Sequence, residues 1–116
     1  MPKTNFTVLH NPKCSKSRQA LAYLDSKNIP YQVVEYLKHP LSKKEILEIM
    51  GQLQSEPSTL LRTKEEAYKK LKINLNSKEE IAKAISDEPK LLERPVIIAN
   101  KKAVIGRPTE NIDELL

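Results

Sequence analysis

The chain alternates short apolar runs with longer amphipathic stretches, and each change of period marks an element. Phe6-Thr7-Val8-Leu9 is a compact apolar run that predicts a buried strand, and His10-Asn11-Pro12-Lys13 supplies loop residues after it. From Cys14 or Ser15 onward the period is helical. Ala20, Leu21 and Leu24 share one face, the helix closes around Asn28, and Pro30 stops it. Tyr31 to Tyr36 is rich in β-formers and predicts a second strand. A strand, a helix and a strand of these lengths predict a parallel βαβ unit with a right-handed crossover.

The middle of the chain is helical. Ser42-Lys43-Lys44-Glu45 is a capping box ahead of Ile46, Leu47, Ile49, Met50 and Leu53, with Gly51 near the end of that helix. Ser77-Lys78-Glu79-Glu80 is a second box ahead of Ile81, Ala82, Ala84 and Ile85, with Pro89 beyond the stop. Between them, Ser58 to Leu71 is charged and helical in pieces. Val96 to Ala99 and Ala103 to Ile105 flank Asn100-Lys101-Lys102 and predict a β-hairpin. A last short helix is expected from Thr109 as N-cap, burying Ile112, Leu115 and Leu116. The order predicts an α/β fold in one domain, residues 1–116: a thioredoxin-like mixed sheet of about four strands flanked by helices. A helical insertion over about residues 41–90 falls between strands 2 and 3.

Composition narrows the function classes. A chain of 116 residues with 39% hydrophobic and 30% charged residues suits a single real core. No apolar run approaches the roughly 20 residues of a membrane span, and residues 1–13 hold no block suited to a signal sequence. The single cysteine excludes an internal disulfide, so a reducing cytoplasm is expected. The formal charge of +5 serves solubility or attracts anions. Nucleic-acid binding is not expected, since one Phe, four Tyr and no Trp leave few aromatics to interleave with basic residues. No metal site is expected, and the chain is expected to act as a monomer.

The candidate chemistry centres on Cys14. A free cysteine in isolation is most often a small buried hydrophobe. Here it stands between Pro12 and a charged helix start, where the helix dipole and unpaired N–H groups favour a thiolate. Lowering a thiol pKa by about two units takes roughly 2.7 kcal/mol, and a helix dipole supplies about 0.3–1 kcal/mol, at most about 2. Further help is expected from Arg18, one turn above on the same face, from the Ser17 hydroxyl as a hydrogen bond to sulfur, and from His10 as donor or positive charge. The same loop of N–H groups is a ready oxyanion cradle. Ser17 occupies the place of the second sulfur of a Cys-x-x-Cys site, so an external thiol must complete any redox cycle.

His10-Asn11-Pro12-Lys13-Cys14-Ser15-Lys16-Ser17-Arg18 resembles the signature His-Asn-Pro-x-Cys-x-x-Ser-Arg of the glutaredoxin-coupled arsenate reductase family. Leu60-Leu61-Arg62, Glu66 to Leu71, Glu93-Arg94-Pro95-Val96 and Ile105-Gly106-Arg107-Pro108 are similar to that family's later blocks, in the same order. Ser15-Lys16 stands where those reductases commonly carry Gly-Thr, and the compact length resembles a short branch of the family. The resemblance implies a thioredoxin-like reductase in which Cys14 attacks arsenate and Arg62, Arg94 and Arg107 bind the oxyanion. Glutathione would serve as co-substrate, glutaredoxin would reduce the adduct to release arsenite, and no cofactor would be tightly bound. It also implies a cis Arg94–Pro95 peptide. Two other readings stay open: a related transcription regulator that binds RNA polymerase, and a monothiol transfer protein acting on glutathione mixed disulfides.

Overall fold

The computed structural model describes residues 6–53 and 55–116, so the expectation of no leader over residues 1–13 lies partly outside the described residues. Among the described residues four strands form one mixed sheet: β1 (Phe6–Leu9), β2 (Tyr31–Val34), β3 (Val96–Ala99) and β4 (Lys102–Ile105). Their order is β2-β1-β3-β4, with β1 parallel to β2 and antiparallel to β3, and β3 antiparallel to β4. Helix α1 (Ser15–Ser26) connects β1 to β2. Helices α2 (Lys43–Gln52), α3 (Glu66–Lys69) and α4 (Lys78–Asp87) fall between β2 and β3, together with 3-10 turns at Pro57–Leu60 and Pro89–Leu91. This is the predicted mixed α/β sheet with helices inserted between strands 2 and 3. No described helix is long and apolar enough to cross a membrane.

The two-residue period of the strands divides the core between the two faces of the sheet. Leu9, Val96 and Ala103 pack with α2, α4 and the 3-10 turns. Their chain neighbours Val8, Ile97 and Val104 pack with Ala20 and Leu24 of α1 and with Ile112 and Leu115 near the C-terminus. Because each strand serves both faces, the strand ends fix α1 and the inserted segment relative to one another.

Local chemistry sets the element ends. Asn28 takes φ 57° after α1, Ile29 N–H donates to Leu24 O at 3.0 Å, and Asn28 N–H donates to Asp25 O at 3.0 Å. These are the two bonds of a Schellman motif, which satisfy carbonyls the helix leaves unpaired. At α2 the predicted capping box is complete: Glu45 N–H donates to Ser42 Oγ at 3.1 Å and Ser42 N–H to Glu45 Oε1 at 2.9 Å. At α4 only half of it forms. Glu80 N–H donates to Ser77 Oγ, but the Glu80 carboxylate accepts from Asn74 N–H at 3.2 Å instead.

Three expectations are corrected. Strand β2 ends at Val34, because the chain then turns with Lys38 and His39 both donating to Glu35 O, and Tyr36 lies buried beyond the strand. The C-terminal segment Thr109–Leu115 is a 3-10 helix whose N-cap is Pro108, while the Thr109 hydroxyl donates to Glu110 Oε1. A three-residue period stacks Ile112 and Leu115 on one side, which buries both and leaves Leu116 61% exposed. The hairpin connection is two residues, Asn100-Lys101, with φ 54° and 63°, since Lys102 already pairs with Ala99.

Both central residues of that turn therefore adopt the left-handed conformation of a type I′ turn, which costs Asn less than it costs Lys. Lys101→Gly is expected to stabilise the fold by about 0.5–1 kcal/mol, since it relieves a left-handed Lys but adds unfolded-chain entropy. A thermal midpoint raised by about 2–6 °C checks this. Asn100→Gly should shift it less.

Candidate active site

The loop between β1 and α1 is a closed turn. Cys14 N–H donates to Asn11 O at 3.0 Å, Lys13 N–H donates to Asn11 Oδ1 at 3.0 Å, and Arg18 N–H donates to Cys14 O at 3.0 Å. Cys14 is the N-cap of α1, in extended conformation. An N-cap side chain ordinarily offers oxygen to the amides two and three residues on. Here no such cap is present, and the amides of Ser17 and Lys16 face the Cys14 sulfur instead. Burial pushes the Cys14 thiol up, but the Ser17 amide, the Arg94 charge, the Lys16 amide and a hydrogen bond from Arg94 outweigh it. The thiol is held below its ordinary range.

The cation on the sulfur is thus Arg94, which precedes β3, the strand beside β1 in the sheet. Arg18 is exposed, and its Nη1 donates to Pro12 O at 2.8 Å, so it braces the loop. Nor does the Ser17 hydroxyl turn to the sulfur. It is fully buried, 2.6 Å from His10 Nδ1, and accepts from Asn11 N–H at 3.1 Å. Burial holds the His10 pKa below the ordinary histidine value, against Glu35 and with help from Arg18. His10 is therefore neutral at neutral pH and acts as a hydrogen-bonding partner of Ser17 rather than a charge.

Arg62, Arg94 and Arg107, far apart in sequence, line one cleft of about 380 Å³ together with Leu61, Thr63, Lys64 and Glu93. Backbone pairing brings the first two together. Leu61 and Leu92 form an isolated antiparallel bridge, with Arg62 N–H donating to Leu91 O at 2.8 Å and Glu93 N–H to Leu60 O at 2.6 Å. Arg107 arrives from the end of β4, and both Arg94–Pro95 and Arg107–Pro108 are cis. Gly106, just before it, donates its N–H to Pro95 O at 2.9 Å. A Cβ on Gly106 would stand 2.7 Å from Ile97 Cδ1 and 3.1 Å from Pro95 Cγ, so a larger residue here would force the buried Ile97 side chain and the Pro95 ring to shift. Asn111 Nδ2 then donates to the carbonyls of Ile105 and Arg107 at 3.0 and 3.1 Å.

The three guanidinium groups differ in how far they are satisfied. Arg62 Nη1 lies 3.3 Å from Glu65 Oε2 and donates to Lys90 O at 3.4 Å. Arg107 Nη1 donates to Glu93 Oε1 at 3.1 Å. Arg94 is the most buried of the three, and its Nε and Nη1 have no hydrogen-bond partner, with Glu93 Oε1 3.7 Å from Nη1. An unsatisfied buried donor costs about 1–3 kcal/mol, more on a charged group, and native structures keep few of them. Cationic donors that converge, with two buried and unpaired, have the chemistry to pair with the oxygens of a small anion.

Two residues of this site were not singled out by their sequence pattern. Tyr36 is 2% exposed and belongs to the same core cluster as Leu9, Leu61, Leu92 and Val96. Burial pushes its phenol up, countered by Arg94 and Arg62 and reinforced by Cys14 and Glu93, so it shares the field of the whole site. Its only sequence signal was its place at the end of a β-rich run. Glu93 was visible only as part of the Glu-Arg-Pro block.

The chain is similar to known proteins over nearly its whole length. The family description "ArsC family" matches residues 9–115. A protein named arsenate reductase from Neisseria meningitidis serogroup A is 42% identical over 113 residues, covering 94% of this chain and 96% of its own. The Escherichia coli K12 protein YfgD is 40% identical over 114 residues, covering 94% of each. The solved structure of an arsenate reductase from Vibrio cholerae is similar at a TM-score of 0.89 and 39% identity, covering 99% of this chain and 100% of that one.

Alkylation of Cys14 followed against pH is expected to show a midpoint below that of the same cysteine in the denatured chain. Arg94→Ala should move that midpoint up, whereas Arg18→Ala should leave it nearly in place. Gly106→Ala is expected to cost about 1–3 kcal/mol by overpacking against Ile97 and Pro95, measured by denaturant unfolding.

Proposed function

We propose that this chain, which belongs to the ArsC family, is an arsenate reductase that uses Cys14 as nucleophile and an external thiol as reductant. The observation that carries this reading is the convergence of Arg62, Arg94 and Arg107 on one cleft, with unpaired buried donors of Arg94 next to a depressed-pKa thiol. The guanidinium groups bind the arsenate oxygens and spread the charge that builds in the transition state. The Cys14 thiolate attacks arsenic, an S–As bond forms, and one As–O bond breaks with the oxygen leaving as water after protonation.

Glutathione then displaces a second oxygen, which also leaves as water, giving arsenic held by two sulfurs. A glutaredoxin thiolate attacks the glutathione sulfur. The S–As bond breaks with its electron pair staying on arsenic, so As(V) becomes As(III) and the glutathione sulfur enters a mixed disulfide. Hydrolysis of the remaining S–As bond frees Cys14 and releases arsenite. The net balance is arsenate plus two thiols giving arsenite, a disulfide and water. Ser17 fits this scheme, since a serine where a second cysteine could stand offers the Cys14 sulfur no resolving thiol.

Arsenate-dependent NADPH consumption in the presence of glutathione, glutaredoxin and glutathione reductase tests the reading. Cys14→Ser is expected to abolish it, Arg94→Ala to lower kcat/KM by about 100-fold, and Arg62→Ala or Arg107→Ala by about 10-fold each. An inactive wild type would sink it. Turnover of a glutathionylated peptide without arsenate would then favour thiol transfer, and retention of RNA polymerase unaffected by Cys14→Ser would favour a regulator.

A further inference from the structure

Glu93 is a carboxylate set into a cleft whose other charged lining residues are all cations, where a site built only for charge attraction would exclude it. Its Oε1 accepts from Arg107 Nη1 at 3.1 Å and from Arg94 N–H at 3.2 Å, and stands 3.7 Å from Arg94 Nη1. All of these contacts fall on one oxygen, and Oε2 has no partner among the described residues. The backbone holds it there, with Glu93 N–H bonded to Leu60 O at 2.6 Å. The carboxylate is half-buried, so it does not simply swing out to solvent.

An ionised carboxylate is an acceptor only. Toward an oxyanion bearing an O–H group it accepts a hydrogen bond. Toward an oxyanion without a proton it presents oxygen to oxygen, with like charges a few ångströms apart and nothing to share. Arsenate and phosphate keep at least one proton at neutral pH, whereas sulfate and selenate keep none. We propose that Glu93 is the specificity residue of the cleft, which admits protonated oxyanions of the arsenate and phosphate class and rejects fully deprotonated ones of the same size. This rests on the reading of the cleft as the arsenate site and adds to it the means of discrimination.

The test is protection of Cys14 from iodoacetamide by each anion at pH 7.5 and fixed ionic strength. In the wild type, arsenate and hydrogen phosphate are expected to protect at concentrations at least about tenfold below those of sulfate and selenate. Monofluorophosphate, a dianion like hydrogen phosphate but without a proton, should behave like sulfate. Glu93→Gln keeps an oxygen for Arg107 and adds N–H donors, so sulfate protection should tighten until the ratio falls within about threefold. A merely structural role for Glu93 would weaken all anions alike and leave the ratio unchanged, which would overturn the proposal. So would equal protection of the wild type by hydrogen phosphate and monofluorophosphate, a comparison that decides the matter even if Glu93→Gln fails to fold. Arsenate protection with no preference over sulfate removes only the specificity. Absence of protection by any anion removes the arsenate reading as well.

Discussion

Four cationic side chains around one small cleft repel one another, and the rest of the site depends on how the backbone holds them there. Arg62, Lys64, Arg94 and Arg107 line it with one carboxylate, Glu93, and Arg62 also pairs with Glu65 at its side. The bridge between Leu61 and Leu92, with Arg62 N–H on Leu91 O and Glu93 N–H on Leu60 O, holds the segment of Arg62 beside that of Glu93 and Arg94, and the hydrogen bond from Gly106 to Pro95 brings the segment of Arg107 to the same place. Hydrophobic burial on both sides of the sheet supplies the free energy that offsets this repulsion. Arg94 bears most of the cost, because two of its donors are buried without partners.

The thiol depends on the same arrangement. A helix start alone falls short of the stabilisation a thiolate needs, and at Cys14 burial opposes it further. The deficit is met by two amides at the N-terminus of α1, which any helix would supply, and by Arg94, which only this tertiary fold supplies. Nucleophile and anion receptor are therefore one electrostatic unit, since the guanidinium that lines the cleft also favours the sulfur's charge.

The buried pair of His10 and Ser17 has a separate task. With His10 neutral and its ring 2.6 Å from Ser17 Oγ, and with Ser17 also accepting from Asn11, the pair ties the loop before Cys14 to the first turn of α1. Arg18 does the same from outside through Pro12 O. These side chains hold the cysteine at the cap position, a division of labour in which they shape the loop while backbone amides and the distant Arg94 act on the sulfur.

Local features were legible in the sequence: the strands by their apolar runs, the box at Ser42 and Glu45, the stop at Asn28, the hairpin turn and a cysteine at a helix start. They were legible because each is decided by residues a few positions apart, through propensity, capping and turn chemistry. The three arginines could be named from a resemblance, but their convergence could not be read from spacing. Which cation reaches the sulfur, where the Ser17 hydroxyl turns, and the inclusion of Tyr36 and Glu93 in the site were decided only by the tertiary structure. Those outcomes follow from the strand order β2-β1-β3-β4 and the bridge between Leu61 and Leu92, which join segments tens of residues apart and leave no periodic trace in the chain.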